Sequence, residues 1–209
     1  RDDVESRGLG DVYKRQEEKR MRRSGVLLPV TSLPSRFGIG TFSKEAYAFV
    51  DFLKEAGQKL WQILPLGPTG YGDSPYQAFS TFAGNPYLID LEELIENGWL
   101  TEEECENTDW GGSKSYVDYE KMYQGRFPLL RKAYHNSHIA ENAEFIAFCE
   151  ENDWWLSDYA LFMAIKDSQG GASFLEWDAP LKLREPEAIR RCRHELSDEI
   201  CFWQFLQYL

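Results

Sequence analysis

The segment Leu64–Asp90, LPLGPTGYGDSPYQAFSTFAGNPYLID, concentrates the side chains of this sequence best suited to chemistry with a ligand. Tyr71, Tyr76 and Tyr87 offer flat aromatic faces, and Asp73, Ser74, Gln77 and Asn85 offer donors and acceptors that could fix hydroxyl groups. Aromatic faces interleaved with neutral hydrogen-bonding groups suit a polyhydroxylated, uncharged ligand such as a carbohydrate. Turn chemistry accounts for part of the same composition. Asp73–Ser74 and Asn85–Pro86 read as turns, and the tyrosines could equally fill an interior. Composition leaves both readings open.

The elements that must position this loop come just before it. GVLLPV, Gly25–Val30, reads as a short buried strand that Pro29 brings to an end. Ala46, Phe49, Val50, Leu53 and Ala56 follow helical spacing, with Ser43 as N-cap and Gly57 as stop. LWQILPL, Leu60–Leu66, gives a second strand, so the unit reads strand, helix, strand with a parallel, right-handed crossover. Only Gly57, Gln58 and Lys59 link the helix to the second strand, whereas both strands are followed by long loops. Parallel-sheet enzymes build their sites from such loops, at the C-terminal strand ends.

Beyond Asp90 the pattern becomes helical. Leu91–Asn97 predicts a short helix stopped by Gly98, and Thr101 with Glu104 has capping-box spacing. Further helices are predicted over Tyr116–Tyr134, Ala140–Glu150 and Asp153–Lys166, the last apolar on most sides and so buried. Ile189, Cys192, Leu196, Ile200, Trp203 and Leu206 predict one final helix with no stop signal before Leu209, the pattern of a chain cut inside a helix. Residues 1–16 have no hydrophobic period, and Asp11–Gln16 resembles a translated transposase adapter. Residues 1–20 are therefore expected to be a leader foreign to the fold.

Composition excludes several classes. With 43% hydrophobic and 15% aromatic residues the chain can bury a sizeable core. A net charge of -12 argues against nucleic acid and anionic membrane surfaces as partners. No stretch approaches the roughly 18 apolar residues of a membrane span, and the charged N-terminus is no secretory signal, so a cytoplasmic location is expected. Cys105, Cys149, Cys192 and Cys201 lack zinc or redox spacing. His135 and His138 lie three apart without a third ligand, so no metal is expected. Gly38, Gly40 and Ser43 in FGIGTFS imitate part of a dinucleotide fingerprint. They sit well past the strand, and no ribose-binding acid follows the second strand, so no cofactor is implied.

The strings SGVLLPVTSLPSRFGIGTFSKEA and WQILPLGPTGYGDSPYQAFSTFAGNPYLIDL closely resemble the N-terminal barrel region of amylomaltases, glycoside hydrolase family 77. The likeness continues more weakly through VDYEKMY, WWLSDYALFMAIK and the stretch to Leu209. It implies an α/β fold, here an incomplete (β/α)8 TIM barrel over residues 21–209 with a helical insertion over about 91–185. It implies a 4-α-glucanotransferase that moves an α-1,4-glucan segment to another glucan's 4-hydroxyl by a retaining double displacement, with maltooligosaccharides as partners and no cofactor. The catalytic carboxylates of the family lie on later strands, so none is expected here and the chain alone should be inactive. By match to the family pattern, Tyr76 and Ser74 would bind the sugar beside the cleaved bond, and Tyr71 and Tyr123 would hold a glucan in a separate groove. Asp73, Gln77, Asn85 and Tyr87 would shape the loop. A related α-glucan hydrolase and a non-catalytic glucan-binding module are the alternatives.

Overall fold

The computed structural model describes residues 22–70, 72–113 and 115–209. The leader expected over residues 1–20 and the proposed sugar contact Tyr71 lie outside the described residues. Strand β1 (Gly25–Leu27) and strand β2 (Leu60–Gln62) pair in parallel, with Gly25 opposite Leu60, Val26 opposite Trp61 and Leu27 opposite Gln62. Helix α1 (Lys44–Glu55) connects them. Both strands are shorter than the expected Gly25–Val30 and Leu60–Leu66. Pairing extends only one further bond, from Leu28 N to Gln62 O, before Val30–Ser32 turns into a 3-10 helix. Pro29 lacks the donor needed to carry the ladder on. At Gly25 a Cβ would stand 2.4 Å from the Leu60 carbonyl oxygen, so glycine permits the close approach of β2.

Ser43 caps α1 by accepting from Glu45 N, and Gly57 (φ 71°) ends it. The predicted apolar stripe is only partly used. Ala46 and Leu53 are buried and Phe49 meets Trp61 edge to face at 5.0 Å, but Val50 and Ala56 are exposed. A two-stranded sheet is too narrow to cover the whole stripe. Trp61 also donates from Nε1 to Leu28 O at 2.8 Å, fastening both strands to one side chain.

The rest is helical: α2 (Leu91–Glu96), α3 (Glu102–Glu106), α4 (Tyr119–Ser137), α5 (Ala143–Glu151), α6 (Asp153–Ser168), α7 (Ala179–Lys182), α8 (Pro186–Glu195) and α9 (Ser197–Tyr208). The capping box of Thr101 and Glu104 is formed in both directions. Helix α6 is the spine of the main core, burying Leu156, Ala160, Met163 and Ala164, while α9 contributes Phe202, Trp203, Phe205 and Leu206.

The single final helix expected from spacing is in fact two, broken at Leu196 (φ -107°, ψ 22°). The two halves bury into different clusters. Cys192 of α8 packs with Leu161, Ile165 and Trp177, whereas the aromatic residues of α9 enter the main core. One straight helix could not serve both, so the bend is set by what each half packs against. Residues 172–185, the end of the expected helical insertion, hold a 3-10 turn (Phe174–Glu176) and α7.

Candidate functional site

Parallel pairing puts both C-terminal strand ends on one edge, and the long loops gather there. The loop after β2 closes on itself through Asn85 N to Leu66 O at 2.8 Å and an antiparallel bridge between Thr69 and Ala78. Its tip turns at Gly72 (φ 86°) and Asp73 (φ 51°), with Asp73 N donating to Gly70 O and Thr69 Oγ1 to Asp73 Oδ1 at 3.3 Å. Asn85 accepts from Tyr87 N at 3.0 Å and starts the 3-10 helix Pro86–Leu88. The turn reading of Asp73 and Asn85 therefore holds at the backbone level.

Two concavities open beside this loop. A small cavity of about 100 Å³ lies at the strand ends, between Val30, Thr31, Leu66, Asp73, Asn85 and Tyr119. A far larger groove of about 1590 Å³ runs from Thr69, Asp73 and Tyr87 across α4 to α6 and α9. Its wall is a sequence of rings. Tyr123 is 5.2 Å from Phe127, Phe127 is 6.0 Å from Trp203, and Trp203 is 6.3 Å from Tyr159.

The groove's charges are largely committed. Arg131 forms a two-pronged ion pair with Glu199 at 2.8 and 2.9 Å and stacks over Phe202. Lys166 donates to Gly171 O at 2.7 Å, and Asp167 accepts from Trp203 Nε1 at 2.9 Å. Burial raises the Asp73 carboxyl above its ordinary value, against a smaller lowering by the Thr69 hydroxyl. Burial likewise raises Asp167. Tyr87 and Tyr119 are pushed up by burial first and by the nearby Asp73 carboxylate second. Their phenols remain protonated at neutral pH and serve as neutral donors. The surface is apolar and hydroxyl-bearing, suited to holding a neutral ligand.

The structure brings together Asp73, Asn85, Tyr87 and Tyr123 as groove-lining residues. Tyr123 stands at the rim, 62% exposed, whereas Tyr87 is buried. Tyr76, Ser74 and Gln77 line neither concavity. Tyr76 projects outward, 74% exposed, with Gln77 exposed beside it and Ser74 half-buried. Tyr119, Phe127, Tyr159, Asp167 and Trp203 also line the groove and escaped the sequence reading. Tyr119, Tyr123 and Phe127 carry a legible signal, aromatic residues four apart on one helix face. Tyr159 and Trp203 carry none, because a buried helix shows no preferred side.

A parallel strand–helix–strand unit with its concavities at the C-terminal strand ends defines an α/β protein of the enzyme-bearing kind. Residues 28–209 match the profile of glycoside hydrolase family 77, described as 4-alpha-glucanotransferase, and the chain belongs to that family. It is 47% identical over 192 residues to the 4-alpha-glucanotransferase of Thermus thermophilus, covering 90% of this chain and 37% of that one. The Clostridium butyricum 4-alpha-glucanotransferase is 46% identical over 179 residues, covering 86% and 37%. An amylomaltase from Streptococcus agalactiae, solved in complex with acarbose, superposes with a TM-score of 0.86 at 45% identity, covering 90% of this chain and 38% of that one. The chain thus spans little more than a third of the length of these relatives.

Proposed function

We propose that this chain is the glucan-holding part of a 4-α-glucanotransferase, which cuts an α-1,4-glucan and passes one piece to the 4-hydroxyl of another. The observation that carries the reading is the groove of about 1590 Å³. It is walled by aromatic rings, has its guanidinium, Arg131, paired with Glu199, and lies beside the loop that carries the family resemblance. Its volume exceeds the roughly 300–1,000 Å³ of a site for one drug-sized ligand, so several sugar units fit.

The chemistry divides between binding and bond exchange. Retaining transfer needs a nucleophilic carboxylate and an acid carboxyl about 5–5.5 Å apart across the scissile bond. The motif segment contributes two carboxyls: Asp90 caps α2 by accepting from Glu92 N, and the turn geometry of Asp73 and its bond from Thr69 suit loop shaping. We assign the reacting carboxylates to the remaining two-thirds of the family's length, as part of a (β/α)8 barrel in the cytoplasm. Tyr76 and Ser74, facing away from the groove here, would face the sugar at the cleaved bond in that complete barrel. Tyr71 and Tyr123 would hold a glucan in the groove.

The test is a chimera in which residues 22–209 replace the matching segment of the Thermus thermophilus relative. Chains longer than the maltotriose supplied are expected. Glucose and maltose alone would favour the hydrolase alternative, and an inactive but folded chimera would argue against the assignment.

A further inference from the structure

We infer that the inner end of the groove, where Tyr159, Asp167 and Trp203 meet, is a binding site for a further glucose unit of an α-1,4-glucan. The inference rests on the glucan reading above and extends it to residues that neither the motif nor the resemblance singles out. Tyr159 is 8% exposed and lines the groove, yet its hydroxyl has no hydrogen-bond partner among the described residues. A phenol left unpaired in a buried position is costly unless something supplies an acceptor. Beside it, Asp167 uses Oδ2 to accept from Trp203 Nε1, and its other oxygen accepts no side-chain bond among the described residues. Among the described residues, an unpaired donor and an unused carboxylate oxygen thus lie together at the inner end of the groove, groups that can fix the hydroxyls of a sugar ring.

The ligand class follows from charge and continuity. Arg131 is neutralised by Glu199, and Lys166 is turned onto the Gly171 carbonyl, so the guanidinium at the inner end is not open to a phosphate or carboxylate. Asp167 would repel an anion. A neutral, hydroxyl-rich ligand remains. Tyr123, Phe127, Trp203 and Tyr159 line one continuous groove, from exposed Tyr123 to buried Tyr159. A glucan held at Tyr123 therefore reaches the inner end by lengthening along that track. Short sugars would stop before it.

The discriminating variant is Tyr159→Phe, which keeps the ring and removes only the unpaired hydroxyl. In the 209-residue chain its melting temperature should stay level or rise, because no protein bond is lost. Titration calorimetry should show maltoheptaose binding weakened roughly three- to tenfold and maltotriose binding unchanged. Asp167→Asn, which keeps an acceptor for Trp203, should weaken maltoheptaose binding in the same way. A merely structural role would lower the melting temperature and affect both sugars equally. Wild-type affinity of Tyr159→Phe for maltoheptaose, in a chain where Tyr123→Ala binds more weakly, overturns this inference and leaves the glucan reading standing. No binding of either sugar by the wild-type chain overturns both.

Discussion

Replacing Arg126 by methionine removes a buried charge that the fold holds with a single hydrogen bond. Arg126 sits on α4 with no exposed surface and donates from Nη2 to the carbonyl of Ile89, tying the end of the motif loop to the helix that bears Tyr123. Nε and Nη1 have no partner among the described residues. Burial, only partly countered by Asp90, Cys105 and Tyr87, lowers the guanidinium from 12.5 to about 10. That shift corresponds to a penalty of about 3 kcal/mol on the charged form. A depressed basic group carries this penalty at every pH below its folded value, because it is then protonated in both folded and unfolded chains. Methionine removes the penalty and fills much of the volume, but orphans the Ile89 carbonyl at a cost of about 1–3 kcal/mol. The net expectation for Arg126→Met is a change between zero and about 2 kcal/mol of stabilisation, constant from roughly pH 5 to 9. Arg126→Ala removes the same penalty and orphans the same carbonyl but also leaves a cavity, so it should be less stable than Arg126→Met by about 2–5 kcal/mol. Urea unfolding followed by circular dichroism measures both. A loss above about 2 kcal/mol in Arg126→Met would mean that the charge itself holds the fold, and the reasoning from burial would fail.

Other outcomes follow from the same structure. In the chimera, Tyr76→Ala should lower kcat/KM on maltotriose and Phe should be milder; wild-type kinetics for the Ala variant would remove Tyr76 from the reacting site. Tyr123→Ala should weaken action on long glucans and spare maltotriose, whereas equal losses on both would place it in the main site. Gln207 closes two bonds with Gly84, accepting from its N at 2.8 Å and donating to its O at 3.1 Å. Gln207→Ala should cost about 1–2 kcal/mol and speed amide exchange at Gly84, and unchanged exchange would show that the contact does not hold the loop. Gly38 has φ 80°, and a Cβ there would lie 2.3 Å from the Met122 methyl and 3.2 Å from Trp110 O. Gly38→Ala should therefore destabilise by about 1–3 kcal/mol in thermal melts, and a neutral result would mean that α4 shifts freely.

Local chemistry, written in consecutive residues, was legible without coordinates. Ser43, Gly57, Thr101 with Glu104, and Gly98 mark helix ends because a cap acts within three or four residues of itself. The parallel pairing of the two strands was legible for a similar reason, since a helix between two strands returns the chain in the same direction. The motif loop announced itself through its tyrosines and turn residues, and its resemblance pointed to the family. What the sequence could not settle depended on partners distant along the chain. Spacing alone made one helix of residues 189–206, and only the separate clusters that take up Cys192 and Phe202 break it at Leu196. The groove is likewise a tertiary fact. Tyr123, Trp203 and Tyr159 belong to three helices, and α6 and α9 are apolar on most sides, so no pattern in either says which ring faces a cavity and which faces the core. That choice is made when the helices pack. The Tyr159 hydroxyl is left without a partner among the described residues because of how α6 and α9 pack, with Tyr159 edge to face on Trp203.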